Sequence, residues 1–348
     1  MKYNSLLKLV LFGFICAFMA TSCVKEGPMG PAGADGTNGT NGEDGADGQV
    51  TCMACHSGTN MEAKKAEFAM SEHSAGAIAV DYAGGRQSCA RCHSHEGFTQ
   101  FATFNSVLGD ITNPSAWECN TCHGLHKSFE GTDYALRMDD PVVPIAAANG
   151  VMDLKGNSNL CATCHQSRSA DPNIAAPGET FNQGVRNYPH YSAQGNILYG
   201  NGLAEIPGSV VYPEKGSGNH LKMDGGSCVG CHMAPFAAKQ GGHSFIPSLK
   251  ACNDCHGGTP ITNYNYGGIQ TATQEKLDQL RDKLLALGVI QETVEEDGVH
   301  YSPVAGVIPM VQAQAVFNYL GVKYDRSLGV HNPKYVNAIL QNTIEALQ

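Results

Sequence analysis

The chain has 348 residues, a formal charge of −10 and a pI near 5.7, so nucleic acid and anionic membrane surfaces are poor partners for its body. Its 42% hydrophobic and 7% aromatic content suits a globular protein, whereas 41 glycines and long stretches rich in Pro, Asn and Gly predict extensive loops.

From the N-terminus, Lys2 and Lys8 flank the start of an apolar run, Leu9 to Ala20, which has signal-peptide length and is too short to cross a bilayer as a helix. The chain is therefore expected to be exported. Ala20, Thr21, Ser22 and Cys23 resemble a bacterial lipobox, with Ala20 where a large aliphatic residue is usual. Residues 1–22 read as a lipoprotein signal peptide and Cys23 as the lipidated N-terminus, since several acyl chains on one cysteine anchor a protein stably. Glycine then recurs every third residue from Gly27 to Gly48, the collagen register, with Pro28 and Pro31 as its only prolines. Residues 23–50 are thus a lipidated cysteine and a collagen-like stalk, favoured as a flexible spacer over a triple helix. As a Gly-rich coil the tract reaches about 25 Å, and about 70 Å when extended in polyproline form.

Residues 51–270 carry six copies of Cys-x-x-Cys-His: Cys52/Cys55/His56, Cys89/Cys92/His93, Cys119/Cys122/His123, Cys161/Cys164/His165, Cys228/Cys231/His232 and Cys252/Cys255/His256. Two thiols three apart on one helical turn can both bond the vinyl edge of a porphyrin, and the next residue swings its imidazole under the iron. Zinc, disulfides and thioredoxin-like chemistry also use Cys-x-x-Cys, but each leaves the invariant sixfold histidine unexplained. The pattern therefore specifies six covalently bound haem c groups, with His56, His93, His123, His165, His232 and His256 as proximal ligands. With so many porphyrins, the expected fold class is a multihaem cytochrome c: mostly α with extensive loops, little β and a core formed by packed haems.

The long gap between Cys161 and Cys228 holds a loop-like stretch around Pro172 to Gly218. Residues 271–348 carry no motif and form a helical C-terminal segment. Leu277, Leu280, Leu284 and Leu287 share one face of a helix over Gln274–Leu287, capped by Gly288. Val289–Tyr301 reads as a hairpin turning at Glu296, Asp297 and Gly298, and Val311–Leu320 and Pro333–Leu347 as further helices.

Eight histidines lie outside the motifs: His73, His95, His126, His190, His220, His243, His300 and His331. Most read as second axial ligands, giving low-spin bis-His sites. Ser71–His73, Tyr82 and Cys89–Phe98 resemble multihaem cytochromes, in which an upstream Ser-x-His histidine is a distal ligand. Cys228–Met233, Gly242, His243, Phe245 and Cys252–His256 resemble another such block. Asp325, Ser327, Gly329, Val330, His331, Asn332, Pro333 and Tyr335 resemble the C-terminal signature of the nitrite reductase and hydroxylamine oxidoreductase superfamily. The resemblance implies His73, His190, His243 and His331 as distal ligands, the last supplied by the C-terminal segment. His126 and His220, loop-borne near motifs, complete the six. His95, too close to His93 to bind the same iron, and His300, in the hairpin, are the two non-ligands. Methionine ligation, by Met223 or Met233, is the alternative at any one iron, and would raise its potential.

Saturated irons imply electron transfer by a cell-surface or periplasm-facing hexahaem c-type cytochrome, an outer-membrane or cell-surface lipoprotein. No catalytic residue is assigned. Expected partners are other redox proteins or extracellular electron acceptors and the membrane through its lipid anchor, with homo-oligomers allowed and nucleic acid excluded. The likeness extends to hexahaem cytochromes that polymerise into nanowires, although a lipid anchor argues mildly against a filament. The enzyme alternative is a multihaem reductase of nitrite, hydroxylamine or a similar small substrate at one open haem, with Arg186, Tyr188, His190 and Tyr191 serving protons and anions. Against it, all six motifs end in His where nitrite reductases commonly carry a Cys-x-x-Cys-Lys haem, and hydroxylamine oxidoreductases carry eight haems. A collagen-like adhesin or scaffold is the third class.

Overall fold

The computed structural model describes residues 56, 58–76, 79–126, 134–223, 227–295 and 298–348, all within one unit, Gln49–Gln348. The leader, Cys23, the Gly-X-Y tract, Cys52, Cys55 and the hairpin turn at Glu296 and Asp297 lie outside the described residues.

Thirteen α-helices follow in order among the described residues: α1 Gly58–Phe68, α2 Glu72–Ala75, α3 Gln87–His93, α4 His95–Phe104, α5 Cys119–Cys122, α6 Ser158–Ala162, α7 Pro172–Ala175, α8 Gln194–Tyr199, α9 Ser227–His232, α10 Leu249–Cys255, α11 Ile269–Ala286, α12 Met310–Asp325 and α13 Pro333–Ala346. Most of the first ten have a turn or two, too short to be stable alone. They are pinned locally, as where Ser94 accepts from the Gly97 amide to start α4. A Cβ on Gly97 would lie 2.3 Å from the Ala90 carbonyl oxygen, so glycine there lets α4 cross tightly over α3.

The C-terminal segment follows its hydrophobic period more closely. Helix α11 buries Leu277, Leu280 and Leu284, but starts five residues before the expected Gln274 and leaves Leu287 at its cap, 44% exposed. Gly288, the residue after that cap, takes φ +68°, the left-handed turn glycine permits. Strands β2 Ile290–Glu295 and β3 Gly298–Pro303 pair antiparallel from Ile290↔Pro303 to Glu295↔Gly298, the expected hairpin. Helix α12 runs past the expected Leu320 to Asp325 and is buried nearly all round, as befits a central helix. Asn332 caps α13 by accepting from the Tyr335 amide, with Pro333 at its first position.

These elements enclose an apolar cluster that includes Ile197, Leu203, Leu277, Leu280, Phe317, Leu320, Tyr335, Ile339 and Leu340. A conventional apolar core therefore exists in the C-terminal part. Elsewhere the buried clusters are small, around Met152 and Leu154 and around Ala90 and Phe101. Asn318 ties α12 to the loop after α8, exchanging two 2.8 Å bonds with the Ala204 backbone. The stretch read as a loop, Pro172–Gly218, contains α7, α8 and strand β1 Thr180–Gln183, which pairs antiparallel with β4 Gly306–Pro309. The Gln183 side chain donates to the Val289 and Val304 carbonyls at 2.9 Å each, fastening this pair to the hairpin.

Phe317 is 1% exposed in the cluster, whereas Val307 on β4 is 72% exposed. Phe317→Ala is expected to lower unfolding stability by about 3–5 kcal/mol, and Val307→Ala by under about 0.5 kcal/mol. Denaturant unfolding followed by far-UV circular dichroism compares the two.

Candidate haem-binding sites

Sites 1 to 6 are numbered after the motifs in chain order. Five motifs lie on α3, α5, α6, α9 and α10 or just after them, where the helical turn sets both cysteines on one side. The amides of His123, His165 and His256 bond the carbonyl of the first cysteine of their own motif at 3.0, 2.9 and 2.8 Å, so one turn of helix carries thiols and imidazole together. The ten described cysteines are unpaired, and among the described residues no three His, Cys, Asp or Glu side chains converge as a metal cluster would.

Each motif histidine instead faces one second imidazole. Ring centroids stand 6.1 Å apart for His56 and His126, 6.0 Å for His93 and His190, and 6.3 Å for His123 and His243. They stand 6.0 Å apart for His165 and His73, 6.4 Å for His232 and His331, and 6.1 Å for His256 and His220. The six histidines read as distal ligands are brought opposite the six proximal ones. The rings are too far apart to touch, and the gap fits one metal held by two metal–nitrogen bonds of about 2 Å. The surrounding cavity holds about 3740 Å³ and is lined by the ten described motif cysteines and ten of these twelve histidines, all but His56 and His126. That is several times a single-ligand pocket of about 300–1,000 Å³. The residues present fit several haems.

Hydrogen bonds occupy Nδ1 and leave Nε2 open in three of these rings. His123 Nδ1 donates to the Tyr134 carbonyl, His220 to Val330 O and His232 to Phe245 O, the last two at 2.7 Å. A carbonyl has no proton to give, so the hydrogen sits on Nδ1 and the Nε2 lone pair is available to iron. His165 Nδ1 lies 3.2 Å from Gln194 Oε1. Burial, with His165 beside it, lowers His73 to about 4, and burial with the Arg168 charge lowers His190 to about 4. Both rings are therefore neutral at neutral pH. Burial also lowers His331, but the Asp325 carboxylate, 2.6 Å from its Nδ1, more than reverses this and raises it. His126 (φ 57°) and His190 (φ 79°) hold left-handed backbones, a strain of about 1–3 kcal/mol each that is characteristic of functional positions.

The other candidates fall elsewhere. His95 bonds Thr121 Oγ1 through Nδ1 at 2.7 Å, and His300 lies on β3 opposite Thr293. Met223 Sδ is 3.6 Å from the Cys231 thiol. Arg186 reaches the Tyr82 hydroxyl at 3.4 Å, and Tyr188 and Tyr191 pack beside His190 with Tyr324. The proposed reductase cluster is thus assembled, but its imidazole faces His93. Sequence reasoning gave no role to Asp325, and no pattern marked Glu67, which accepts from the His243 amide at 3.0 Å.

Neighbouring motifs touch. Cys92 Sγ and Cys164 Sγ each lie 3.8 Å from a backbone carbonyl of the other motif, at Thr163 and Arg91, and within hydrogen-bond reach of one another. The Cys161 and Cys228 thiols are likewise in contact, and the Cys231 carbonyl accepts from Ser248, the cap of α10. Sites 2, 4, 5 and 6 therefore adjoin in that order. No described helix is long and apolar enough to cross a membrane.

No family model matches the chain. Two curated relatives, the C-type polyheme cytochrome OmcB of Geobacter sulfurreducens strains DL-1/KN400 and ATCC 51573/DSM 12127/PCA, are 27% identical over 197 residues, 49% of this chain and 22% of theirs. The outer cell wall cytochrome OcwA superposes with a TM-score of 0.52 at 19% identity, covering 81% of this chain and 50% of that one. The chain thus spans about a fifth of the length of the OmcB relatives and half that of OcwA. This chain thus shares a mostly helical cytochrome fold with little strand, and its sequence is similar over about half its length to that of C-type polyheme cytochromes.

Proposed function

We propose that the chain is a hexahaem electron conduit, exported and tethered at the outer surface of the cell through lipidated Cys23 and the Gly-X-Y stalk. It passes electrons between other redox proteins and an extracellular acceptor. The single observation carrying this reading is the set of six facing imidazole pairs, one for every motif. Bound haem supplies a one-electron iron couple at each site. The chain's own residues would do the rest: the cysteine pairs would tether the haems, the histidine pairs would hold the irons and exclude substrate, and the motif-to-motif contacts would keep successive sites adjacent. Electrons then move without any molecule reaching an iron, which weighs against the nitrite or hydroxylamine reductase alternative.

Electron paramagnetic resonance of the oxidised protein, with haem counted on the same sample, tests the reading. Six haems, all low-spin, are expected. The near-perpendicular ring pairs at sites 2, 4 and 6, crossing at 71°, 78° and 84°, should give strongly anisotropic signals, and the pair at site 1, at 6°, a rhombic one. A substantial high-spin signal perturbed by nitrite or hydroxylamine sinks the conduit and restores the reductase.

A further inference from the structure

We propose that Asp325 is a positioning residue that gives site 5 the most negative reduction potential of the six, making it the last to accept an electron. The inference rests on the conduit reading above. His331 Nδ1 lies 2.6 Å from Asp325 Oδ1, and the Asp325 side chain is wholly shielded from solvent. A charge-assisted bond of this length to a carboxylate shielded from solvent is strong, and it draws the Nδ1 proton toward the carboxylate. The imidazole gains anionic character and donates more density through Nε2, which favours the ferric over the ferrous state.

The other axial histidines make a contrast. His123, His220 and His232 donate to backbone carbonyls and His165 pairs with an amide oxygen, all neutral acceptors. A second carboxylate, Glu67 Oε2, lies 3.5 Å from His243 Nδ1. That distance is beyond a good hydrogen bond, and Lys64 at 2.9 Å already offsets the charge of Glu67.

The local sequence pays for this arrangement. Asp325 is the last residue of α12, the helix end where a negative charge is least favourable, and it is 2% exposed. Ser327 holds it in place, its hydroxyl donating to Asp325 Oδ2 and accepting from the His331 amide at 3.2 Å. A buried acid at a helix C-terminus, oriented by a serine toward an axial imidazole, breaks a local rule where a function repays it.

The test uses the full-length haem-loaded protein, titrated electrochemically while the haem methyl resonances of each site are followed by nuclear magnetic resonance. In the unsubstituted protein site 5 should be the last of the six to be reduced. In Asp325→Asn, which keeps an oxygen acceptor but removes the charge, the site 5 midpoint should rise while the other five stay, with six low-spin haems retained. Asp325→Glu should restore the lower value. The assignment is overturned if any other site is reduced after site 5 in the unsubstituted protein, a result that needs no variant to fold. It is equally overturned if Asp325→Asn folds with unmoved midpoints. Both results would leave six low-spin haems and the conduit standing, whereas fewer than six low-spin haems in the unsubstituted protein would sink the conduit and this assignment together.

Discussion

Made in a host that cannot attach haem, the chain is expected to lose its fold over residues 56–268 and to be degraded there by a dilute protease. The same region of the haem-loaded protein should resist. The cavity of about 3740 Å³ is the reason. With no porphyrin in place, the largely apolar walls of a cleft this size would face water, a loss of burial that a typical folding margin of about 5–15 kcal/mol does not cover. Little else holds the region, since its apolar clusters are small and its helices are mostly a turn or two. Residues 269–348 contribute most of the large apolar cluster and should be the slowest to be cut. Far-UV circular dichroism and mass spectrometry of the fragments decide the matter. A haem-free chain with the helix content and protease resistance of the loaded one would show that the porphyrins are passengers in a self-supporting fold.

The contrast between the two regions also explains what could be read from the residues. Each Cys-x-x-Cys-His holds its tether and its ligand in five consecutive positions, so the chemistry is local and visible. The distal partners are not local. His73 faces His165, His190 faces His93 and His331 faces His232, each across many tens of residues. Counting spare histidines and a family resemblance point to a candidate set, but no spacing states the pairing. In the tail a 3.6-residue period located α11, α12 and α13, yet it cannot tell where a helix stops burying its face, so Leu287 was included and is exposed. Strand β1 was missed because four residues without alternation pair with β4 more than a hundred positions later. Asp325 stood in plain view within a recognised signature. Its chemistry appears only when the turn after α12 brings His331 back against it.

Replacing His73 by Gly should open one iron in six without releasing any haem. On the conduit reading Cys161 and Cys164 would hold the site 4 porphyrin covalently with His165 beneath it, so the haem count should stay at six while one haem turns high-spin. His73 is suited to the test because its half-buried ring packs among Trp117, Phe245 and His165, at 5.4, 5.0 and 6.0 Å between centroids. Removing it leaves a space shaped for an imidazole. Added imidazole should enter and restore the low-spin spectrum, and carbon monoxide should bind the reduced variant at about one site per chain. Site 4 adjoins both site 2 and site 5 through the Cys92–Cys164 and Cys161–Cys228 contacts. An altered iron there should slow electron passage between those sites, and imidazole should reverse the slowing. The spectrum separates ligation from packing, because a ring that only filled space would leave six low-spin haems when lost. That result would remove His73 from the axial set, and would leave Met or another residue to be found opposite His165.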